Sequence, residues 1–241
     1  FLGDISTSSF QLGKLIDNPD LGEIAFNASI DGTVDTTSIK HCIANANIQH
    51  IDYLGYTYQD LRFNGELQKE SLSGNFSIKD ENINIIINGI ANWSKENTRL
   101  DITAHLKDFC PNAIHLTDKY PNLTLDASAN VSLSTYGKHW IDNLTGHIII
   151  DSLNVQNGSK QAIMEQMKLL VDNDIKNKKK HHRLQLQSDF VTANISGIFQ
   201  YTTLLNTAQR IIHGYVPSLV TAPKKINRQP NELSFYAYFR Q

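Results

Sequence analysis

Hydrophobic and polar residues alternate along most of the chain, and this pattern constrains the fold more than any other feature of the sequence. In residues 71–93, SLSGNFSIKDENINIIINGIANW, apolar side chains take every second position on both sides of a polar turn. Such alternation places the apolar residues on one face of a β-sheet and leaves the other face in water. The alternating segments are 22–34, 38–50, 61–67, 71–79, 82–93, 99–107, 123–134, 143–155 and 184–199. The sequence therefore predicts a mostly β protein with long strands.

Glycine recurs at the centre of a short phrase within these segments. The phrase reads FNGEL at 63–67, LSGNF at 72–76, INGIA at 87–91, LTGHI at 144–148 and ISGIF at 195–199. Glycine weakens the β preference of a strand interior, and it permits bends and close backbone contacts. Its recurrence predicts a strongly curved sheet or close approaches within it.

Helical patterns are scarce. Residues 110–116 fit a short turn of helix. The best candidate for a helix is the segment 203–215, which places Leu205, Ala208 and Ile212 on one face and is followed by Pro217 as a stop signal.

Residues 162–171 fit both the helical and the strand period. A strand is favoured there, because the alternating run at 184–190 would close a hairpin with it over the lysine-rich turn at 173–180. The stretch 233–239 at the carboxyl end also reads as a strand.

The charge balance argues against nucleic acid as a partner. The net charge is -2, whereas phosphate neutralisation requires a strong basic excess. The one dense basic run, at 176–183, lacks interleaved aromatic residues and is interpreted as a solvated hairpin tip. Two cysteines, Cys42 and Cys110, do not form a disulfide framework, and two separate small thiols are favoured over a pair.

No arrangement of residues indicates catalysis, a metal or a cofactor. Catalytic motifs, a phosphate-binding glycine loop and a calcium loop are all missing from the sequence. His41 and Cys42 are adjacent, and adjacent strand residues point to opposite faces, so they cannot hold one ion without a bulge. Tyr56 and Tyr58 share a face and could form a platform for a sugar, although tyrosine is also an ordinary strand residue.

The apolar face of such a sheet needs a second layer, which in most proteins is another sheet or a set of helices. The predicted helices are too few to cover so many strands. The sheet must therefore fold on itself as a sandwich or barrel, wind into a solenoid, or cover its apolar face with something else.

An ordered series of segments resembles the TamB proteins of the AsmA-like superfamily, in the form found in Bacteroidetes. The series runs IDYLGYTYQDLRFNGEL at 51–67, LSGNFSIKDENINIIINGIANW at 72–93, LDITAHLKDFCPNAIHLTDKY at 100–120, LTGHIIIDSLNV at 144–155, LQLQSDFVTANISGIFQYTTL at 184–204 and GYVPSL at 214–219. The resemblance covers about residues 10–219. It implies a repeating β-groove, in which long antiparallel strands form a curled, taco-like sheet with one or two short helices.

The resemblance also implies a function. Such proteins bridge the periplasm and carry phospholipid between the inner and outer membranes, or assist the assembly of outer-membrane proteins. Acyl chains would then supply the missing layer, and the residues expected to face them are Leu72, Phe76, Ile78, Ile83, Ile85 and Ile87. The predicted helix would plug the groove through Leu205, Ala208 and Ile212.

We expect the chain to be one elongated segment, 1–241, which could divide into sub-repeats 1–108 and 109–241. It begins at Phe1 without a basic leader, so we expect it to come from inside a longer protein. The family's inner-membrane anchor would then lie outside this segment, as would the carboxy-terminal part that could contact an outer-membrane barrel protein.

Two other hypotheses remain open. One is an extracellular β-sandwich module that binds a glycan or a protein and has an ordinary closed core. The other, a β-helical polysaccharide enzyme, is weaker because no carboxylate cluster stands out and the strand spacing is uneven. The groove and the sandwich are both expected to lack enzyme activity, whereas the β-helical hypothesis requires it.

Overall fold

A computed structural model describes residues 1–34, 39–176, 179–204 and 232–240 of the chain. The protein is mostly β, and the strands within these ranges form one antiparallel sheet of fourteen strands that does not close. This confirms the predicted fold class. The strands are β1 (Leu2–Gln11), β2 (Leu21–Val34), β3 (Ile39–Tyr53), β4 (Tyr56–Gln68), β5 (Ser71–Asp80), β6 (Ile83–Trp93), β7 (Thr98–Phe109), β8 (Leu123–Thr135), β9 (Thr145–Asn157), β10 (Lys160–Met164), β11 (Met167–Lys176), β12 (Lys179–Ser188), β13 (Val191–Ile198) and β14 (Glu232–Phe239).

The strands follow one another in chain order across the sheet, except that β10 pairs only with β9 and lies off this path. Two short helices lie among the described residues, α1 (Leu12–Ile16) and a 3-10 helix at Ile141–Asn143. The backbone is also helical at 201–204. Neither β1 nor α1 was expected from the sequence.

The chain divides into two compact units. Unit one comprises Phe1–Ser132 and Ile149–Gln166, and unit two comprises Leu133–Ile148 and the described residues from Met167 onward. The sub-repeats 1–108 and 109–241 stay a prediction.

One predicted strand, 184–199, is wrong in extent, because a tight turn divides it into β12 and β13. The hydroxyl of Ser188 accepts hydrogen bonds from the backbone N–H groups of Phe190 (3.3 Å) and Val191 (3.1 Å). A serine that bonds its neighbouring backbone in this way favours a turn over a strand. The alternation of apolar residues continues across this turn and conceals it.

The preference for a strand within 162–171 is confirmed by β10 and β11. Strand β11 pairs with β12 in a hairpin that places Leu169 opposite Leu186. The predicted polar turn at 173–180 is too long, because the pairing continues out to Lys176 and Lys179. Backbone hydrogen bonds do not require apolar side chains, so a polar ladder can extend as far as the turn allows.

The two predicted helical segments have different outcomes. Residues 110–116 form hydrogen-bonded turns and no helix, with one bond from the N–H of Ile114 to the carbonyl of Cys110 (3.3 Å). Of the predicted helix 203–215, Thr203 and Leu204 are helical. Its site residues Leu205, Ala208 and Ile212 lie outside the described residues. The strand predicted at 233–239 is confirmed as β14.

The register of β4 to β7 assembles one continuous apolar face in unit one, and we call this set of residues the apolar face. Residues that are directly paired across neighbouring strands lie on the same face of a sheet. Each row of four paired residues in β4 to β7 therefore belongs to one face. The four rows are Leu61–Ile78–Ile85–Leu106, Phe63–Phe76–Ile87–Ala104, Gly65–Gly74–Gly89–Ile102 and Leu67–Leu72–Ala91–Leu100.

The glycines of three recurrent phrases stand side by side in the third of these rows. A Cβ atom added to Gly65 would lie 2.5 Å from the ring of Phe63, and one added to Gly74 would lie 2.9 Å from the carbonyl oxygen of Asn64. The predicted close approaches are therefore confirmed at these positions, where glycine leaves space for an aromatic ring and for neighbouring backbone.

The opposite face of the same strands is polar. Asn64, Asn75 and Asn88 stand opposite one another on this face, and Asn45 of the adjacent β3 continues the row. The side-chain amide of Asn75 donates a hydrogen bond to the side-chain oxygen of Asn88 (2.7 Å). The two faces of this part of the sheet thus differ sharply in polarity, as the alternation predicts.

Candidate functional site

The candidate site is the apolar face, and one end of it is closed by a buried cluster. Tyr58, Leu61, Ile78, Ile83 and Ile114 form this cluster. Ile114 is the most deeply buried of them, with 1% of its surface exposed, and among the described residues no other large side chain is as fully buried. It belongs to residues 110–116, which we call the cap segment.

Hydrogen bonds to two strand-connecting turns hold the cap segment in place. The N–H of Cys110 donates to the carbonyl of Asn82 (2.9 Å), which lies between β5 and β6. The ring Nδ1 of His115 donates to the carbonyl of Leu54 (3.1 Å), which lies between β3 and β4. The cap segment is therefore fastened at the ends of two hairpins, where its isoleucine can cover the apolar face.

Asp80 links the strands beneath the cap segment. Its carboxylate accepts hydrogen bonds from the hydroxyl of Tyr56, the backbone N–H of Gln59 (3.1 Å) and the backbone N–H of Asn82 (3.0 Å). Burial raises the pKa of the Tyr56 phenol, and the hydrogen bond to Asp80 raises it further. Asp80 thereby joins β4 to the turn that follows β5.

The tyrosines that could have formed a sugar platform pack into the protein instead. The rings of Tyr56 and Tyr58 meet edge to face with their centroids 4.9 Å apart. Only 9% of Tyr58 is exposed, and Tyr56 packs against the same buried cluster. Edge-to-face contact between a buried and a partly buried ring stabilises a core, and it leaves no flat aromatic surface for a sugar.

Away from the cap segment, the apolar face becomes accessible to solvent. Phe63, Phe76 and Ile87 are half-buried. Leu72, one row further along, is 42% exposed. Fully packed interiors bury such side chains almost completely. The face therefore has a closed end under Ile114 and an accessible part at Leu72.

Five of the six residues expected to contact acyl chains belong to the rows of the apolar face, and the sixth, Ile83, continues that face two residues before Ile85. Ile78 and Ile83 lie in the cluster beneath the cap segment, and Ile85 packs against that cluster. The accessible part contains the remaining three, which are Leu72, Phe76 and Ile87. The sequence indicated only a turn of helix at 110–116, and it did not predict that this segment covers the apolar face. The one signal for that role was a large apolar residue, Ile114, within the segment.

The basic run is less solvated than expected. The ammonium group of Lys180 donates to the hydroxyl of Tyr136 (2.9 Å) and to the side-chain oxygen of Asn143. His182 is 4% exposed, and its ring lies 4.7 Å from that of Tyr201. Burial, followed by the charge of Lys180, lowers the pKa of His182. The interpretation of 176–183 as a solvated tip is therefore wrong at Lys180 and His182, because both contact other residues of unit two.

Comparison with known proteins identifies no relative: no family model, no curated protein and no solved structure matches the chain. None of the helices in the described ranges has both the length and the hydrophobicity needed to cross a membrane. Within the same ranges, no three His, Cys, Asp or Glu side chains gather as metal ligands would. Cys42 and Cys110 are both free thiols.

Proposed function

We propose that this chain is a non-enzymatic segment of a TamB-like protein, and that its apolar face binds the acyl chains of phospholipids. The observation that carries the proposal is the apolar face itself. It is continuous across β4 to β7, it is covered by Ile114 at one end, and it remains accessible around Leu72. Exposed apolar surfaces of this kind are typical of sites that bind an apolar partner.

The energetics of burial permit such a role. Each methylene that leaves water contributes about 0.8 kcal/mol, so ten methylenes contribute about 8 kcal/mol. That value corresponds to nominal micromolar binding before the ordering of the lipid and of the side chains is subtracted. Binding of this strength requires no polar contact, and the rows that would make the contact contain only apolar side chains and glycine.

The cellular role that we propose follows from the resemblance to TamB proteins. The segment would lie in the periplasm, and the protein would be anchored in the inner membrane by a part of its chain outside this segment. It would carry phospholipid towards the outer membrane, or help outer-membrane proteins to assemble together with a barrel protein. Both roles place an apolar substrate on the same face.

The alternative is an extracellular β-sandwich that binds a glycan or a protein. A sandwich buries the inner faces of two sheets against each other. In the described part of the chain, the strands all belong to a single sheet, and Phe63, Phe76 and Ile87 remain half-buried. These two features favour lipid binding over the sandwich.

Native mass spectrometry of protein purified without detergent tests the proposal. We expect phospholipid to remain bound, or to be taken up when the protein is incubated with lipid vesicles. The substitution Leu72→Glu places a charge on the apolar face and should reduce lipid binding at least tenfold, because a carboxylate there would have to lose its water. Leu72 is itself exposed, so the substitution should leave the fold intact.

Ile90→Glu is the matched control. Ile90 is 48% exposed, close to the value for Leu72, but it lies on the polar face of the neighbouring strand, opposite Ser73. It introduces the same charge and should leave lipid binding unchanged. Equal losses in the two variants, or wild-type protein that neither contains nor takes up lipid, would refute the assignment of the apolar face as the site.

A further inference from the structure

The strand β14 forms an edge of the sheet, and one of its sides is unpaired. In the described part of the chain, β14 pairs with β13 alone, in an unbroken antiparallel register from Val191 opposite Phe239 to Ile198 opposite Glu232. A free strand edge presents backbone N–H and C=O groups with which another strand can pair. The side of β14 that faces away from β13 is therefore open to another strand, and we call it the β14 edge.

A hydrogen bond of Arg240 shows which residues present their backbone groups at the β14 edge. Its N–H donates to the carbonyl of Phe190 (2.9 Å), and this bond continues the register of β13 and β14 by one residue. In an antiparallel pair, residues whose N–H and C=O groups point to the neighbouring strand alternate with residues whose groups point away from it. The even-numbered residues of β14 therefore bond to β13. The residues whose backbone groups point outwards are Leu233, Phe235, Ala237 and Phe239.

The β14 edge lacks the features by which edge strands normally avoid pairing with another chain, which are charged side chains, proline and β-bulges. Residues 233–239, LSFYAYF, contain no charge, no proline and no glycine, and most of them favour strands. Phe235 is 61% exposed and Phe239 is 73% exposed. The other edge strand, β1, carries Asp4 and has an irregularity in its pairing with β2. Of these two edges, the β14 edge is thus the one suited to pairing with another strand.

We propose that the β14 edge pairs with the same edge of a second copy of this chain, antiparallel and about a two-fold axis at Tyr236. In this register Phe235 lies opposite Ala237 of the second copy, and Leu233 lies opposite Phe239. All four residues point their backbone groups outwards, so each pair can exchange hydrogen bonds in both directions. Because both copies use the same edge, the contact closes as a dimer and does not continue into a filament.

Charge complementarity selects this register among the alternatives. It places Glu232 of each copy opposite Arg240 of the other, and both side chains are exposed. Opposite charges on directly opposed strand residues stabilise the pairing of the strands. A shift of two residues in one direction would place Glu232 opposite Tyr238, and a shift in the other direction would place Arg240 opposite Ser234. A shift of one residue would set outward-pointing backbone groups against inward-pointing ones.

The proposed register also preserves the two faces of the sheet. The odd-numbered residues of β14 are apolar, and three of them lie opposite Val191, Ala193 and Ile195 of β13. The register joins odd-numbered residues of one copy to odd-numbered residues of the other. Exposed apolar side chains such as Phe235 therefore gain apolar neighbours across the dimer contact, which removes part of their surface from water.

Sedimentation velocity over a range of protein concentrations tests the dimer. We expect a reversible shift from the monomer mass to twice that mass as the concentration rises. Arg240→Glu would place two acidic residues opposite each other at both ends of the pairing, and it should weaken the dimer by roughly fivefold or more. Glu232→Arg should weaken it in the same way. The double variant Glu232→Arg/Arg240→Glu restores opposite charges and should recover the wild-type affinity.

Disulfide cross-linking tests the position of the two-fold axis. Tyr236→Cys is made in a background in which Cys42 and Cys110 are replaced by serine, so that each chain has a single thiol. The two copies of residue 236 would form a pair without backbone hydrogen bonds, whose Cα atoms are about 4.5 Å apart, and a disulfide can span that distance. Mild oxidation should therefore produce a covalent dimer.

Tyr238→Cys in the same background is the matched control. Tyr238 is exposed to a similar extent as Tyr236 and lies on the same face of β14. Its two copies would be separated by four residues along the strands, or about 13 Å, which is too far for a disulfide. Oxidation should therefore cross-link this variant much less than Tyr236→Cys.

Several results would overturn the inference. A chain that stays monomeric at every concentration would exclude the dimer, and assembly beyond the dimer would exclude two-fold pairing. Equal cross-linking through residues 236 and 238 would refute the register, as would a dimer whose affinity is unchanged by Arg240→Glu. None of these measurements requires lipid, so their outcome is independent of the proposed function of the apolar face.

Discussion

The substitution Ile114→Ala tests whether the cap segment closes the apolar face. Ile114 is 1% exposed and packs with Tyr58, Leu61, Ile78 and Ile83. The change removes three carbon atoms, which accounts for about 2.4 kcal/mol at about 0.8 kcal/mol each. A cavity that does not collapse raises the cost further, into the range of about 2–5 kcal/mol that is usual for buried isoleucine.

Urea denaturation followed by the fluorescence of Trp93, in the Trp140→Phe background, measures this loss within unit one. At a slope of about 2 kcal/mol/M, a loss of about 3 kcal/mol lowers the unfolding midpoint by about 1.5 M. The slope itself should change little, because the surface exposed on unfolding is nearly the same.

Leu116→Ala is the control for this substitution. Leu116 is an aliphatic residue of the same segment, but 51% of its surface is exposed. Its replacement should cost no more than about 0.5 kcal/mol. If the two variants lost the same stability, or if Ile114→Ala lost less than about 0.5 kcal/mol, Ile114 would not be a core residue and the closed end of the face would not exist.

Two further predictions concern the packing of β4 and β5. Gly74→Ala should destabilise the protein by about 1–3 kcal/mol in urea denaturation, because the added Cβ would lie 2.9 Å from a backbone oxygen. Gly3→Ala is the control: its Cβ would have no atom within 4 Å, so the substitution should be nearly neutral. The pKa of Tyr56 is raised above its ordinary value of 10.0. The contribution of its neutral phenol to stability should therefore be fully present below pH 10.0, and it should be lost as the pH rises through the pKa of the folded state. Tyr56→Phe should reduce this alkaline decline, to which the raised pKa of Tyr58 also contributes. An unchanged pH profile would count against the desolvated phenol of Tyr56.

The sequence alone indicated most of the strands and both of their faces. In β5 and β6, alternation predicted that Phe76 and Ile87 would share a face, and the register places them directly opposite each other. This inference succeeds because the side-chain period of a strand is a local property of the backbone, which holds whatever the strand packs against. The lack of a long amphipathic pattern likewise indicated a protein with few helices.

Turns set by side-chain hydrogen bonds were harder to predict. Ser188 interrupts an alternating run, and a serine in such a run is equally compatible with a polar strand position. The polar residues before Lys176 show the reverse error: their composition suggests a turn, but they continue the hydrogen-bonded pairing of β11 with β12. In both cases the choice depends on which backbone partner is within reach, and the neighbouring strand determines that partner.

The tertiary structure alone decided which parts of the apolar face are closed and which are accessible. Three separate glycine phrases become one row only when β4, β5 and β6 are in register. Ile114 enters the core only because two hairpin ends, distant from it in sequence, accept hydrogen bonds from its segment. Alternation along a strand reports which side chains share a face, whereas the burial of that face depends on contacts between residues that are far apart in the chain.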